Sequence, residues 1–343
     1  MPRLVAASSR GILLSVAYDG RPFAGYARQR DQRTVAGELL GALRAIDPAI
    51  REIRGASRTD AGVHARDQRV AFDTAAPLPP RGWVLATARH LPDEIVIRRA
   101  AVVRVGFSPR FESLRKRYRY LILRDLVRDP FLSRRAWRVE GLTDEAIARA
   151  RAEAATATGT HDFAAFRTSA DERTTTIRTL YGVELSLDPA DPRLVRIDVD
   201  GNAFLHNMVR ILVGTLMDVA RGHVEPGAIA RALASRDRRD AGITAPPDGL
   251  YLEQIHLRDD GQEAWPAGPS AGAPADEAAP AWAEPEADAS HVPGSGPDAD
   301  ASLVPASSPD AAASPVPASS PEADASPPPG AGPGAGTHLP PAR

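Results

Sequence analysis

The amino-acid sequence predicts an α+β protein whose helices pack on one side of a largely antiparallel sheet. Stretches with strand character outnumber stretches with helical spacing. The two kinds of segment do not alternate strictly, whereas a parallel α/β fold requires alternation. The part of the chain before the composition changes, residues 1–258, is long enough for one large domain or two small ones.

The first predicted strand, residues 11–18, is a short apolar run that ends at an Asp-Gly turn. Apolar residues then recur at helical spacing, with Thr34 as the N-cap and Pro48 as the stop. Two further strands are predicted at 68–73 and 94–104. The run before Asp60 also has strand character, which places Asp60 at a strand-to-loop corner.

The second half begins with a strand at 116–124, where the alternation of side chains is clear. Thr143 is predicted to cap a helix that extends to about Thr156. The remaining elements are strands at 176–187 and 194–200, an apolar helix from Phe204 to Gly222, a short helix at 226–234 and a last strand at 250–257. Ser108-Pro109 breaks the pattern between the two halves.

Charge and composition separate a basic body from an acidic tail. The 343 residues include 42 Lys or Arg and 44 Asp or Glu, but residues 259–343 hold 13 acidic residues and one basic residue. Residues 1–258 therefore carry 41 basic and 31 acidic residues, an excess that attracts nucleic acid. The Ala/Pro/Ser/Asp-rich tail is predicted to be disordered, either as a passive appendage or as a competitor of RNA phosphates.

The absence of cysteine excludes disulfide bonds and Cys-ligated zinc. No apolar run approaches the length of about 18 residues that a membrane span needs. The N-terminus is too short and too weakly apolar for a signal peptide. These features predict a cytoplasmic protein without a membrane contact.

The segment Gly55-Ala-Ser-Arg-Thr-Asp-Ala-Gly-Val-His-Ala65 places Asp60 between Arg58 and Gly62. A carboxylate on a loop that a rigid scaffold holds can meet a substrate, and a nearby cation keeps it charged beside a polyanion. Asp60 is thus a candidate nucleophile or general base. The alternative is an ordinary turn in which Asp60 bonds its own backbone.

Three other patterns carry possible chemistry. Arg210 lies within an apolar helix, so it requires an opposing acid unless it reaches solvent. The block Arg115 to Tyr120 surrounds two tyrosines with four cations, which suits stacking on unpaired bases, or is a buried tyrosine face with a solvated basic edge. His64 is interpreted as structural or RNA-contacting. His206 and Asn207 are interpreted as structural.

Several blocks occur in a fixed order along the chain. They are Tyr18-Asp19-Gly20 with Phe23 to Tyr26 and Gln29, Arg33 to Leu39, Arg58 to Ala65, Arg115 to Tyr120, His161-Asp162-Phe163 with Phe166-Arg167, Phe204 to Arg210, and Ala245 to Leu252. Together they resemble the tRNA pseudouridine synthase A family over about residues 10–257. One departure is Tyr26-Ala27, which stands where members usually carry Trp-Gln.

The resemblance implies a pseudouridine synthase fold of two similar α+β halves, 1–107 and 108–258, with sheets joined across a central cleft and the tail, 259–343, outside it. It implies Asp60 as the catalytic residue, Arg210 as its partner and Tyr118 as the substrate-contacting tyrosine. Arg58, two residues from Asp60, is the candidate for holding a flipped nucleotide.

The implied reaction is the isomerisation of uridine to pseudouridine at positions 38, 39 and 40 in the anticodon arm of tRNA. No cofactor and no metal is expected, and the implied assembly is a homodimer that receives tRNA. Two rivals remain at this point. One is an RNA-binding protein without chemistry, and the other is an enzyme of the same chemistry that acts on another RNA.

Overall fold

The computed structural model describes residues 9–168 and 174–266, which all belong to one compact unit. The strands of this part are β1 (Arg10–Tyr18), β2 (Arg54–Gly55), β3 (His64–Thr74), β4 (Ile95–Val103), β5 (Ser113–Leu123), β6 (Trp137–Arg138), β7 (Gly159–Asp162), β8 (Ile177–Leu187), β9 (Leu194–Gly201), β10 (Leu250–Leu257) and β11 (Gln262–Trp265). The helices are α1 (Val35–Ile46), α2 (Pro80–Thr87), α3 (Pro109–Glu112), α4 (Asp144–Ala155), α5 (Met208–Ala220) and α6 (Ala228–Ser235).

One sheet joins these strands in the order β11-β4-β1-β3-β10-β5-β9-β8-β7, with β2 beside β3 and β6 beside β5. Within the described chain, only β3–β10 and β5–β6 pair in parallel. The predicted α+β class with a largely antiparallel sheet is therefore confirmed. The division at 107/108 stays a prediction.

The strands from the two ends of the body meet where β3 pairs with β10. This contact has two residue pairs, His64 with Tyr251 and Ala65 with Leu252. The rings of His64 and Tyr251 stack there at a centroid distance of 4.5 Å. The short seam brings the loop before β3 close to elements that are remote in the sequence.

Side-chain caps begin the two helices where the sequence predicts them. Thr34 accepts a hydrogen bond from the Gly37 amide, and Thr143 accepts one from the Ala146 amide. Each cap satisfies one of the amides that the first turn of a helix leaves without an intrahelical partner. The capped helices α1 and α4 then bury their apolar faces in the main core.

The two faces of the sheet are covered unequally. Ile12 and Leu14 on one face of β1 belong to the main core, which also takes in residues of α1, α4, α5 and α6. Leu13 on the other face packs in a smaller cluster with Ala71, Val103 and Phe107. Alternation along the strand separates these two sets of side chains.

Helix α5 begins four residues later than predicted. Asn207 has a left-handed backbone with φ of 61°, so residues before it cannot continue the helix. His206 and Asn207 consequently lie in the preceding loop and not in the predicted helix. The end of the helix agrees with the sequence, because Gly222 follows it with φ of 73°.

The predicted tail boundary at 258/259 also needs correction. Strand β11 pairs with β4, and Asp260 lies between the guanidinium groups of Arg69 and Arg99, with 2.6 Å between its oxygen and Arg69 Nη2. Composition does not predict this strand, because the residues that hold it in place are far away in the sequence. The predicted tail from 267 onward lies outside the described residues.

The sequence pattern also missed α2 and β7. Helix α2 carries Trp83, which is fully buried and meets the Phe72 ring edge-on at a centroid distance of 4.9 Å. Among the described strands, β7 pairs with β8 alone, at the end of the sheet. Both are short, so a periodic signal is weak there. None of the described helices has the length and apolarity needed to cross a membrane.

Replacing Tyr26 by phenylalanine is expected to raise the free energy of unfolding by about 1 kcal/mol. The Tyr26 side chain is buried and its hydroxyl has no hydrogen-bond partner in the described residues. Removal of an unsatisfied hydroxyl abolishes a desolvation cost. Urea denaturation measures the change. The control Tyr18→Phe should lower stability, since the Tyr18 hydroxyl lies 2.7 Å from Thr59 Oγ1. A loss of stability in Tyr26→Phe would contradict the expectation.

Candidate active site

Asp60 lies in the loop between β2 and β3, at the point where β3 approaches β10. The loop ends in a turn in which the Val63 amide donates to the Asp60 carbonyl at 3.2 Å. Gly62 has φ of 80°, as the turn interpretation of the sequence requires. The Asp60 side chain takes no part in this turn, so its carboxylate is available to other groups.

Neighbouring elements hold the loop from several sides. Thr59 bonds to the buried Tyr18 hydroxyl through its side chain, and its carbonyl accepts from the Tyr26 amide at 3.0 Å. Gly25 has φ of 110°, and a Cβ at this position would lie 2.9 Å from the Thr59 carbonyl oxygen. The backbone beside Asp60 is therefore fixed by β1 and by the segment that follows it.

One side chain of α5 and one of the loop before it contact the Asp60 carboxylate. Arg210 Nη1 lies 3.4 Å from Oδ2, and His206 Nε2 lies 3.2 Å from Oδ1. The Asp60 side chain remains 25% exposed, so one side of the carboxylate is open to a ligand. The guanidinium gives this carboxylate a permanently charged neighbour.

Arg210 is itself held in place. Its Nε donates to the Ala245 carbonyl at 2.8 Å, and Nη1 donates to Asn207 Oδ1 at 2.7 Å. The Ala245 amide donates back to the Arg210 carbonyl at 3.0 Å. Two neutral acceptors thus fix the guanidinium before it meets Asp60. A fork of several donors suits arginine and not lysine.

The segment that supplies the Ala245 carbonyl approaches α5 where the helix has a glycine. A Cβ at Gly214 would lie 1.9 Å from the Ile243 carbonyl oxygen. The Gly242 amide also donates to Thr215 Oγ1 at 2.9 Å. The absence of a side chain at Gly214 therefore permits the contact that positions Arg210.

Tyr118 lies on β5 beneath the loop of Asp60. Its ring is buried, its hydroxyl is 3.1 Å from Ser57 Oγ, and Phe204 meets it edge-on at a centroid distance of 5.0 Å. Lys116, on the same face of the strand, donates to the Ala56 carbonyl at 2.9 Å. The one lysine of the chain thus supports the loop backbone.

The arginines of β5 lie on one face of the strand and its two tyrosines lie on the other. Arg115 and Arg117 both contact Asp200, and Arg119 contacts Asp198 through two nitrogens at 2.8 and 2.9 Å. Both acids belong to the adjacent strand β9. Side chains alternate between the two faces along a strand, which separates the arginines from the tyrosines. The ion pairs join these arginines to the adjacent strand β9.

Arg58 and His64 differ sharply in exposure. Arg58 is exposed, and its guanidinium has no ion-pair or hydrogen-bond partner within residues 9–168 and 174–266. His64 is 3% exposed, accepts from the Gly20 amide at Nδ1 and lies 3.2 Å from the Asp248 carbonyl oxygen at Nε2. The structural interpretation of His64 is therefore favoured over contact with RNA.

Burial governs the titration of the groups around the loop. It raises the pKa of Tyr18 and of Tyr120 above the usual tyrosine range, so both phenols stay neutral. It lowers the pKa of His64 and favours the neutral ring. No group of three His, Asp or Glu side chains in the described part of the chain is arranged to hold a metal ion.

His206 is the contact of Asp60 that the sequence interpretation assigned to a structural role. The sequence did contain a signal for a role at the site, because His206 lies in the same block as Arg210. A helix from Phe204 would place residues 206 and 210 on one face, but nothing in the sequence shows that Asp60 lies opposite His206 as well as Arg210. The site thus combines a carboxylate, a guanidinium, an imidazole and a phenol, a set suited to nucleophilic and acid–base chemistry.

Comparisons with known proteins define the class. The family model described as tRNA pseudouridine synthase matches residues 154–256. Tyr118, Asp60 and Arg58 lie before the matched segment, and Arg210 lies within it. This partial match indicates the class of the tRNA pseudouridine synthases.

Full-length relatives narrow this class. The tRNA pseudouridine synthase A of Citrifermentans bemidjiense is 39% identical over 251 residues, which cover 73% of this chain and 98% of that protein. Those of Acetivibrio thermocellus and Geobacter sulfurreducens are 38% and 39% identical over 248 residues, which cover 72% of this chain and 99% and 100% of those proteins. The chain belongs to the tRNA pseudouridine synthase A family, and it is an isomerase that converts uridine to pseudouridine in tRNA.

A solved structure overlaps more weakly. A crystal structure of a Cbf5-Nop10-Gar1 complex aligns with a TM-score of 0.32 and 13% identity, over 71% of this chain and 50% of that one. An overlap of this size supports no conclusion about the site.

Proposed function

We propose that this enzyme modifies uridines 38, 39 and 40 in the anticodon arm of tRNA, with Asp60 as the nucleophile or base that starts the reaction. The observation that carries the proposal is the geometry of Asp60. Its carboxylate is oriented by Arg210 and His206 on a pinned loop, yet one side stays open. Membership of the tRNA pseudouridine synthase A family supports the choice of substrate.

The reaction exchanges one bond for another within the same nucleotide. The C1′–N1 bond breaks, uracil rotates while enclosed, and C5 bonds to C1′. The proton of C5 is then lost and N1 gains a proton, so no oxidant, reductant or activated phosphate is consumed. Asp60 attacks C1′ or C6, or removes a proton to start glycal formation. Each route uses the Asp60 carboxylate that Arg210 and His206 orient.

Tyr118 is proposed to contact the uracil. The Tyr118 ring lies beneath the catalytic loop, and a flat aromatic ring is the kind of side chain that stacks on an unpaired base. Its hydroxyl is already oriented by Ser57, at 3.1 Å. A phenol in that place also serves as an acid–base group for the C5 proton.

Sequence-resolved pseudouridine mapping tests the substrate. Unmodified tRNA and ribosomal RNA are incubated with the pure full-length protein, and every new pseudouridine is located. The proposal expects modification at tRNA positions 38 to 40. Products confined to ribosomal RNA would show that the same chemistry acts on another RNA. Binding of tRNA without any product would indicate an RNA-binding protein without catalytic activity.

Arg58→Ala is expected to lower turnover by about 10- to 100-fold, the effect of losing a hydrogen bond to a charged group. A uridine inside a folded arm must leave its stack to reach Asp60. Arg58, exposed and two residues away, is proposed to hold the flipped nucleotide. Tritium release from tRNA labelled at C5 of uridine measures turnover. Arg89, an exposed arginine after α2, is the matched control. Equal effects of the two variants would reduce Arg58 to a general phosphate contact.

Full-length protein is expected to behave as a homodimer in light scattering. The resemblance suggests this assembly, with one tRNA lying across both subunits. Several large apolar side chains of the loop after β5 are exposed, among them Leu126, Val127 and Phe131 at 76%, 71% and 83%. Burial of such side chains against a second copy offsets the cost of association. An active protein at the mass of a single chain would contradict the prediction.

A further inference from the structure

His206 stands out among the groups around Asp60 because it is both bonded and accessible. Its Nε2 lies 3.2 Å from Asp60 Oδ1, while its side chain is 44% exposed. Arg210 approaches the other carboxylate oxygen, Oδ2. The two partners therefore hold one oxygen each and together fix the plane of the carboxylate.

The second ring nitrogen of His206 is also bonded. Nδ1 lies 2.9 Å from Thr168 Oγ1. In a neutral ring the Thr168 hydroxyl donates to Nδ1, which leaves the ring proton on Nε2, facing Asp60. In a protonated ring both nitrogens are donors. In each case Nε2 donates to the carboxylate.

We infer that His206 is a positioning residue of the isomerase, with Thr168 fixing its orientation, so that the Asp60 carboxylate presents a constant face to the ribose and uracil of the target nucleotide. The inference rests on the proposed role of Asp60. A carboxylate with one bonded oxygen rotates about its last bond, whereas two donors on different oxygens remove that freedom. Fixed geometry of the attacking group lowers the barrier without changing substrate affinity.

The choice of substitution at His206 distinguishes the loss of a hydrogen bond from the loss of side-chain volume. The amide nitrogen of glutamine reaches about the position of Nε2, while that of asparagine reaches only about the position of Nδ1. His206→Gln should therefore keep most of the activity, and His206→Asn and His206→Ala should lose it. Thr168→Val should cause a smaller loss of activity, because the His206 ring stays in position but loses the hydrogen bond that fixes its orientation.

The assay is single-turnover tritium release with full-length protein in excess over tRNA, together with tRNA binding and thermal melting. His206→Ala is expected to lower the rate constant at saturation by about 10- to 100-fold, the effect of losing one hydrogen bond to a charged group. The dissociation constant for tRNA should change by less than about 3-fold. His223→Ala is the matched control, since His223 is 53% exposed and lies 3.5 Å from Asp218.

Three results would overturn the inference. These are an unchanged rate in His206→Ala, an equal loss in His206→Gln and His206→Asn, or a loss that appears only in tRNA affinity. The variant Asp60→Ala is measured in the same series. Full activity in Asp60→Ala would overturn the proposed function itself, whereas an inactive Asp60→Ala beside an unchanged His206→Ala would overturn only the role of His206.

Discussion

Asp60→Ala is expected to lower the rate of pseudouridine formation by at least about 10⁴-fold, because it removes the side chain proposed to start the reaction. Binding of tRNA should stay within a few-fold, since Asp60 makes no proposed phosphate contact. Asp60→Asn should be similarly inactive, because an amide is neither a base nor a nucleophile of useful strength. Tritium release and filter binding on the same preparations measure the two effects.

The control for Asp60 is another surface aspartate in an ion pair. Asp237 lies 2.6 Å from Arg239, and its side chain is 35% exposed, comparable to that of Asp60. Asp237→Ala should leave both turnover and tRNA binding unchanged. A loss in Asp60→Ala much smaller than about 10⁴-fold would contradict the assignment of the nucleophile.

Loss of Arg210 is expected to have the next largest effect. Arg210→Ala should lower turnover by more than about 100-fold, because it removes one of the two groups that orient Asp60 and leaves the Ala245 carbonyl without its donor. Arg210→Lys should also be impaired, since an ammonium group cannot bond Ala245, Asn207 and Asp60 at once. Turnover of Arg210→Lys equal to that of the parent would show that charge alone is sufficient.

The variant Gly214→Ala tests the positioning of Arg210 by a change away from the substrate. A methyl group at Gly214 would collide with the Ile243 carbonyl, so Gly214→Ala should displace the segment that holds Arg210 and lower turnover without any contact to substrate. Gly41 in α1 is the matched control, because a Cβ there meets nothing within 4 Å. Gly41→Ala should keep full turnover and gain up to about 1 kcal/mol of stability from helix propensity. Equal activity of both variants would contradict the role of this close approach.

Local rules were enough for most of the fold. The caps at Thr34 and Thr143, the turn at Gly62 and the strands β1, β5 and β9 follow from side-chain chemistry and periodicity within a few residues. The start of α5 did not follow, because the backbone at Asn207 turns left-handed where the apolar pattern continues. Strand β11 did not follow either, since its composition resembles that of the tail.

The sequence by itself determined that a basic α+β body carries an exposed loop with one carboxylate, and which family that loop resembles. Only the tertiary structure decided what surrounds the carboxylate. Arg210 is separated from Asp60 by 150 residues, and the short seam between β3 and β10 brings their regions together. The same folding pairs the arginines of β5 with acids of β9 and leaves Arg58 exposed. The sequence gives the number of charged residues. Whether a charged side chain is free to bind a ligand depends on the side chains around it, and those come together only when distant strands pair.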